Sequence, residues 1–209
     1  MNSTTRISSF PELLAARSYP SSDVEAPRRT KCVLKLCVLY HDEQLRHWAQ
    51  DVHTLARKLV GKTSLTATWW NIQLLNEPAV LAGAVSTAMH SDVIVLAIRA
   101  EAELPLAFYY WADAWLPHRY GEPGALLALL AVPEQPQAKA ERTREYLRTI
   151  SHRGGLDFLY DERRLPAANG VTFRPDPRMK DAVSGAVLRT LAYKDRRYRC
   201  WQRLTPVAA

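Results

Sequence analysis

The chain has 209 residues, 47% of them apolar and 23% charged, a composition that folds around one core and excludes a disordered polypeptide. Its net charge of +7 is uneven: residues 1–30 carry four Arg against three acids, residues 178–209 carry eight Lys and Arg against Asp181 and Asp195, and the stretch between is neutral. A neutral body with one cationic end excludes a basic face on the domain itself, so any attraction to phosphate would have to come from the tail.

Residues 1–30 are rich in Ser, Thr and Pro and read as an N-terminal arm. From Cys32 to Tyr40 the chain is apolar except for Lys35, the pattern of a strand buried on both faces. Asp42 is placed to cap a helix over Glu43–Val60, where Leu45, Trp48, Ala49, Val52, Leu55, Ala56 and Leu59 recur at helical spacing before Gly61. A second strand is expected over Leu65–Leu74 and a helix over Pro78–His90, with Pro78 in the first turn. Val93–Ile98 is the clearest strand, followed by a helix over Leu104–Leu116. Gly124–Val132 is almost wholly Ala and Leu, which favours helix, but Gly121, Pro123 and Pro133 bracket it at strand length. A helix over Ala138–His152, a fifth strand over Leu156–Tyr160 and a last helix over Met179–Tyr193 complete the domain, 31–193, ahead of a basic tail, 194–209.

Five strands alternating with helices require parallel strands joined by right-handed crossovers, hence a doubly wound α/β sheet with helices on both faces. Five strands favour the order 2-1-3-4-5. In element order and length, over about residues 32 to 192, the chain resembles the flavodoxin-like folds and, among them, response-regulator receiver domains. The resemblance implies an acidic pair after the first strand, which Asp42 and Glu43 match, and a phosphoacceptor Asp after the third, where Ile98-Arg99 stands instead. The hydroxyl after the fourth strand and the Lys after the fifth are also missing, since Val132-Pro133-Glu134 and Asp161-Glu162 occupy those places. The expectation is a non-catalytic, receiver-like interaction or signalling module, with Asp42, Glu43, Arg99 and Glu101 as a charge cluster at the sheet's mouth.

A small-molecule or nucleotide-binding enzyme or sensor is the alternative, using the crevice at the ends of strands one and three, with Asp42 or Glu43 as base and Arg99 as anion clamp. No glycine-rich phosphate fingerprint occurs, and two acids at the mouth oppose a phosphorylated cofactor, so none is expected. His47 and His53 with Asp51 lack the third ligand of a metal site. Ser86, Ser91 and Ser184 lack a nucleophile elbow, and Cys37 reads as core. Trp111-Ala112-Asp113 resembles the Trp-acid pair of NAD-cleaving TIR domains, with an acid one carbon shorter and without the flanking Ser and Cys.

Trp69 and Trp70 on the edge strand, and Tyr109 and Tyr110 on the third helix, are candidate interface residues and suggest a homodimer or an unidentified protein partner. Arg196, Arg197, Arg199 and Arg203 in the tail are the candidate anion contacts of a less favoured nucleic-acid reading. Three cysteines without C-x-x-C spacing, and no apolar run near the ~20 residues of a membrane span, point to a cytoplasmic protein away from membranes.

Overall fold

A computed structural model describes residues 33–60, 65–100, 102–119, 123–132 and 138–164, together with Gly185 and Thr190. The elements are β1 (Leu34–Tyr40), α1 (Glu43–Val60), β2 (Leu65–Asn71), α2 (Pro78–His90), β3 (Val93–Arg99), α3 (Leu106–Trp115), β4 (Gly124–Val132), α4 (Ala138–Arg153) and β5 (Leu156–Arg164). All pairings are parallel and the sheet order is β2-β1-β3-β4-β5, with Val38 beside Val95 and Leu96 beside Ala128. Successive side chains of a strand point to opposite faces, so each central strand feeds two cores. On one face Ile94, Leu96, Leu126 and Ala128 pack with Phe108, Trp111 and Trp115 of α3 and Leu147 and Ile150 of α4. On the other, Leu36, Val38, Val95, Leu127 and Leu129 pack with Leu45, Trp48 and Val52 of α1. β4 is a strand despite its Ala-Leu composition because both of its faces are buried, and packing outweighs a propensity of a few tenths of a kcal/mol per residue.

Several boundaries differ from the sequence expectation, three of them instructively. β2 stops at Asn71, whose side-chain oxygen accepts a hydrogen bond from Gln73 N–H (2.9 Å) and starts a 3₁₀ turn over Ile72–Asn76. α3 begins at Leu106, after Pro105 in extended conformation. β5 runs four residues further than expected, to Arg164, with Asp161 beside Leu129 and Glu162 beside Leu130. Those charges stay in the strand because they are matched: Arg144 of α4 meets Glu162 at 2.6 Å, and Arg163 meets Asp161 at 2.9 Å while lying 4.6 Å over the Trp48 ring. α4 ends at Arg153, and the turn after it passes through Gly155, whose φ of +64° suits glycine. Of the expected helix over Met179–Tyr193, Gly185 and Thr190 are described and both are helical. The N-terminal arm and the basic tail, with Arg196, Arg197, Arg199 and Arg203, lie outside the described residues.

Two close approaches tie layers together. At the floor of the sheet Arg119, 1% exposed, donates from Nη1 to the carbonyls of Ala88 (3.1 Å) and Ser91 at the end of α2. Beside it, a Cβ on Gly124 would lie 2.5 Å from the Asp92 carbonyl oxygen. At the edge, a Cβ on Gly83 would lie 2.6 Å from Cη2 of Trp70. Trp70 packs against the α2–α4 core, while Trp69 lies on the opposite face, its ring edge-on to His53 at 5.8 Å. The two candidate interface tryptophans thus each cover one side of the edge strand.

Candidate functional site

Ligands of open parallel sheets bind beyond the carboxyl ends of the strands, so the segments after β1, β3 and β4 define where chemistry can sit. After β1 the chain enters α1 through His41 and Asp42 alone. Asp42 Oδ1 accepts a hydrogen bond from Leu45 N–H (3.0 Å), closing the helix N-terminus, and its Oδ2 lies 2.6 Å from Arg99 Nε. Arg99, the last residue of β3, also donates to Gln44 Oε1 (2.9 Å). The structure brings Asp42 and Arg99 together and sends Glu43 elsewhere, to Arg46 (3.2 Å) and His47 (3.9 Å). Glu101 lies outside the described residues. Both Asp42 oxygens and the Arg99 Nε and Nη2 groups are thus engaged by neighbouring side chains and backbone.

A different opening lies one strand over. The turn after β3 and the first half of α4 flank an open cavity of about 490 Å³, lined by Ala102, Glu103, Leu104, Tyr109, Lys139, Arg142, Thr143 and Tyr146. It sits beyond the ends of β3 and β4. Ala100 N–H continues the ladder to the Ala131 carbonyl (2.8 Å), and Thr143 Oγ1 donates to the Ala100 carbonyl (3.2 Å), pinning α4 to the turn. Lys139 Nζ reaches Glu103 at 3.4 Å. The Tyr109 and Tyr146 rings are 5.1 Å apart, and burial, helped by Asp113, pushes the Tyr146 phenol up to about 12. None of Asp42, Glu43 and Arg99 lines this cavity.

The sequence reading missed this site. Lys139, Arg142, Thr143 and Tyr146 fall at i, i+3, i+4 and i+7, one face of α4, a spacing that was visible but resembles any solvated helix face until the facing turn is known. Tyr109, read as an interface candidate, is a wall of the cavity, whereas Tyr110 is 58% exposed. Asp113 faces Arg153 at 3.6 Å beside a buried Trp111. Ser91 bonds the Ala88 carbonyl, and the buried Cys37 thiol is pushed upward by desolvation, which leaves it a poor nucleophile. Among the described residues there is no cluster of three or more metal-ligating side chains, and no helix is long and apolar enough to cross a membrane.

No protein-family model and no curated protein sequence matches the chain. Solved structures do. An oxidoreductase from Corynebacterium diphtheriae matches 77% of this chain and 96% of its own at 14% identity and a TM-score of 0.52. The flavodiiron protein from Giardia intestinalis matches 79% of this chain and 38% of its own at 10% identity and a TM-score of 0.50. A flavodoxin from Streptococcus pneumoniae TIGR4 aligns over 78% of this chain and 99% of its own at 10% identity and a TM-score of 0.49. The fold is flavodoxin-like. The flavodoxin-like resemblance holds at the level of the fold, without the receiver family being shown. The non-catalytic signalling module is corrected: the similar structures include an oxidoreductase and a flavodiiron protein, and the alternative reading of a small-molecule site accords better with them.

Flavin mononucleotide is the ligand this strand order accommodates at the β1/β3 switch point. The residues here do not fit its phosphate. The connection after β1 is too short to wrap an anion, its helix N-terminus is already capped by the Asp42 carboxylate, and Glu43 adds a second negative charge in the first turn.

Proposed function

We propose that this protein is a small-molecule-binding member of the flavodoxin-like architecture, an enzyme or sensor whose ligand sits in the cavity between the β3–α3 turn and α4. The observation that carries this reading is the cavity itself: about 490 Å³, beyond the carboxyl ends of two central strands, with a mixed lining in which charged and hydroxyl-bearing side chains stand beside Leu104 and two tyrosine rings. That volume lies within the roughly 300–1,000 Å³ of ordinary ligand sites. The arrangement supplies binding and orientation through Lys139, Arg142, Thr143 and the two tyrosines.

A thermal-shift screen against nucleotides, flavins, nicotinamides and small metabolites tests it, with the Ala102→Trp protein as control. Ala102 is a half-buried lining residue of the turn, and an indole there is expected to fill the cavity. A stabilising ligand whose effect is lost in Ala102→Trp is expected. A ligand that stabilises both proteins equally, or none that stabilises either, overturns the reading.

A further inference from the structure

The charges around the cavity are lopsided, and the helix that carries them explains why. α4 has a cation in nearly every turn, and both of its acids are committed to neighbours, Glu141 to Arg144 and Glu145 to Arg148 at 3.3 Å, while Glu162 of β5 also meets Arg144 at 2.6 Å. Arg142 points to the cavity and makes no ion pair among the described residues. Lys139, one turn earlier, has Glu103 at 3.4 Å, but the Glu103 side chain is 90% exposed. An exposed pair of this kind contributes little and gives way readily to a better-placed anion. The wall therefore offers one uncommitted guanidinium and one weakly held ammonium.

The rest of the lining is of another kind. Leu104 is buried, Tyr109 and Tyr146 stand 5.1 Å apart and tilted by 58°, and Phe108 supports both rings from behind, at 6.1 and 6.4 Å. Tyrosines bury large area at low entropic cost and carry hydroxyls that donate to oxygen. Cations and rings in one lining describe a ligand with a flat ring and a charged group.

Building on the small-molecule reading above, we infer that the cavity takes a planar, ring-bearing anion, its carboxylate or phosphate received by Arg142 and Lys139 and its ring by Tyr109, Tyr146 and Leu104. None of Asp42, Glu43 and Arg99 lines this cavity, so the anion-receiving chemistry inferred here lies on α4 and not on α1. An aromatic carboxylate and a purine or pyrimidine mononucleotide share the required chemistry.

Isothermal titration calorimetry with matched probes separates the elements of this inference. The sets are benzoate, benzamide and acetate for the carboxylate source, and adenosine monophosphate, adenosine and inorganic phosphate for the nucleotide source. The ring-bearing anion of at least one set is expected to bind at least roughly tenfold more tightly than its neutral and its ringless counterparts. Arg142→Ala is expected to weaken it by roughly tenfold or more and to flatten its salt dependence, and Tyr109→Ala to weaken it with the salt dependence kept. Arg142 is exposed, so its removal leaves the fold intact. Neutral rings that bind as tightly as the anions, in a manner abolished by Ala102→Trp, would overturn the ligand class while leaving the cavity as the site. Binding that survives Ala102→Trp, or none by any probe, would overturn both.

Discussion

Asp42 carries two separable duties, and substitution can divide them. Its Oδ1 caps α1 through Leu45 N–H at 3.0 Å, and its Oδ2 meets Arg99 Nε at 2.6 Å with the two side chains 32% and 22% exposed. Asparagine caps a helix about as well as aspartate but carries no charge, so Asp42→Asn should lose only the ion pair, about 1 kcal/mol at this exposure. Asp42→Ala should lose cap and pair together, about 2 kcal/mol, or a melting temperature lower by roughly 4 to 8 °C for a chain of this size. Arg99→Gln removes the same pair from the other side, so the Asp42→Asn/Arg99→Gln double variant should cost about 1 kcal/mol less than the two single changes added together. Urea denaturation followed by tryptophan fluorescence measures all four proteins. Additivity within about 0.3 kcal/mol, or an Asn variant as unstable as the Ala variant, would show that the pair at the mouth is not the anchor between β3 and α1 described above.

Arg119→Ala should cost roughly 3 to 5 kcal/mol, because it strips two charge-assisted hydrogen bonds from carbonyls at the buried end of α2. A thermal midpoint within a degree or two of the parent would contradict that role. Gly83→Ala gains about 1 kcal/mol of helix propensity but pushes a methyl into the Trp70 indole, a clash of roughly 1 to 3 kcal/mol, so the net effect is neutral to destabilising, read by chemical denaturation. Stabilisation would mean the ring yields freely. For Tyr146, burial lifts the folded phenol from 10.0 to about 12. The unfolded chain therefore releases its proton first, so this contribution is intact below about pH 10 and is lost as the pH climbs toward 12. Stability measured across that window should fall more steeply for the parent than for Tyr146→Phe, and parallel curves would remove burial as the cause.

The fold was readable from the sequence because burial on both faces leaves a long apolar record. Val93–Ile98 and Gly124–Val132 carry it, and two buried faces allow only a parallel sheet sandwiched by helices. β5 was read short because Asp161-Glu162-Arg163-Arg164 looks like solvent-facing loop, and the partner that neutralises Glu162 is Arg144, 18 residues earlier on another element. The same limitation hid the cavity. Asp42 announces itself beside Glu43 at a predictable mouth, whereas Arg142 and Lys139 are two cations among many on a polar helix, distinguished only by the turn after β3 that faces them. Arg119 gave no local signal either, since a buried guanidinium is defined by carbonyls 28 and 31 positions away. Composition and periodicity report which side of an element is apolar, but not which of its polar groups are already spoken for.

The Trp70–Gly83 contact makes two positions, thirteen apart in sequence, into one heritable unit. A lineage that gains a side chain on the helix first passes through a crowded intermediate, whereas one that first shrinks the indole passes through a loose one, and only the second leaves room for the other change to be harmless. Drift at this rim of the molecule is therefore directional: relatives with an alanine or larger residue at position 83 should be found with a smaller residue at position 70, and a side chain at position 83 together with tryptophan at position 70 should be rare.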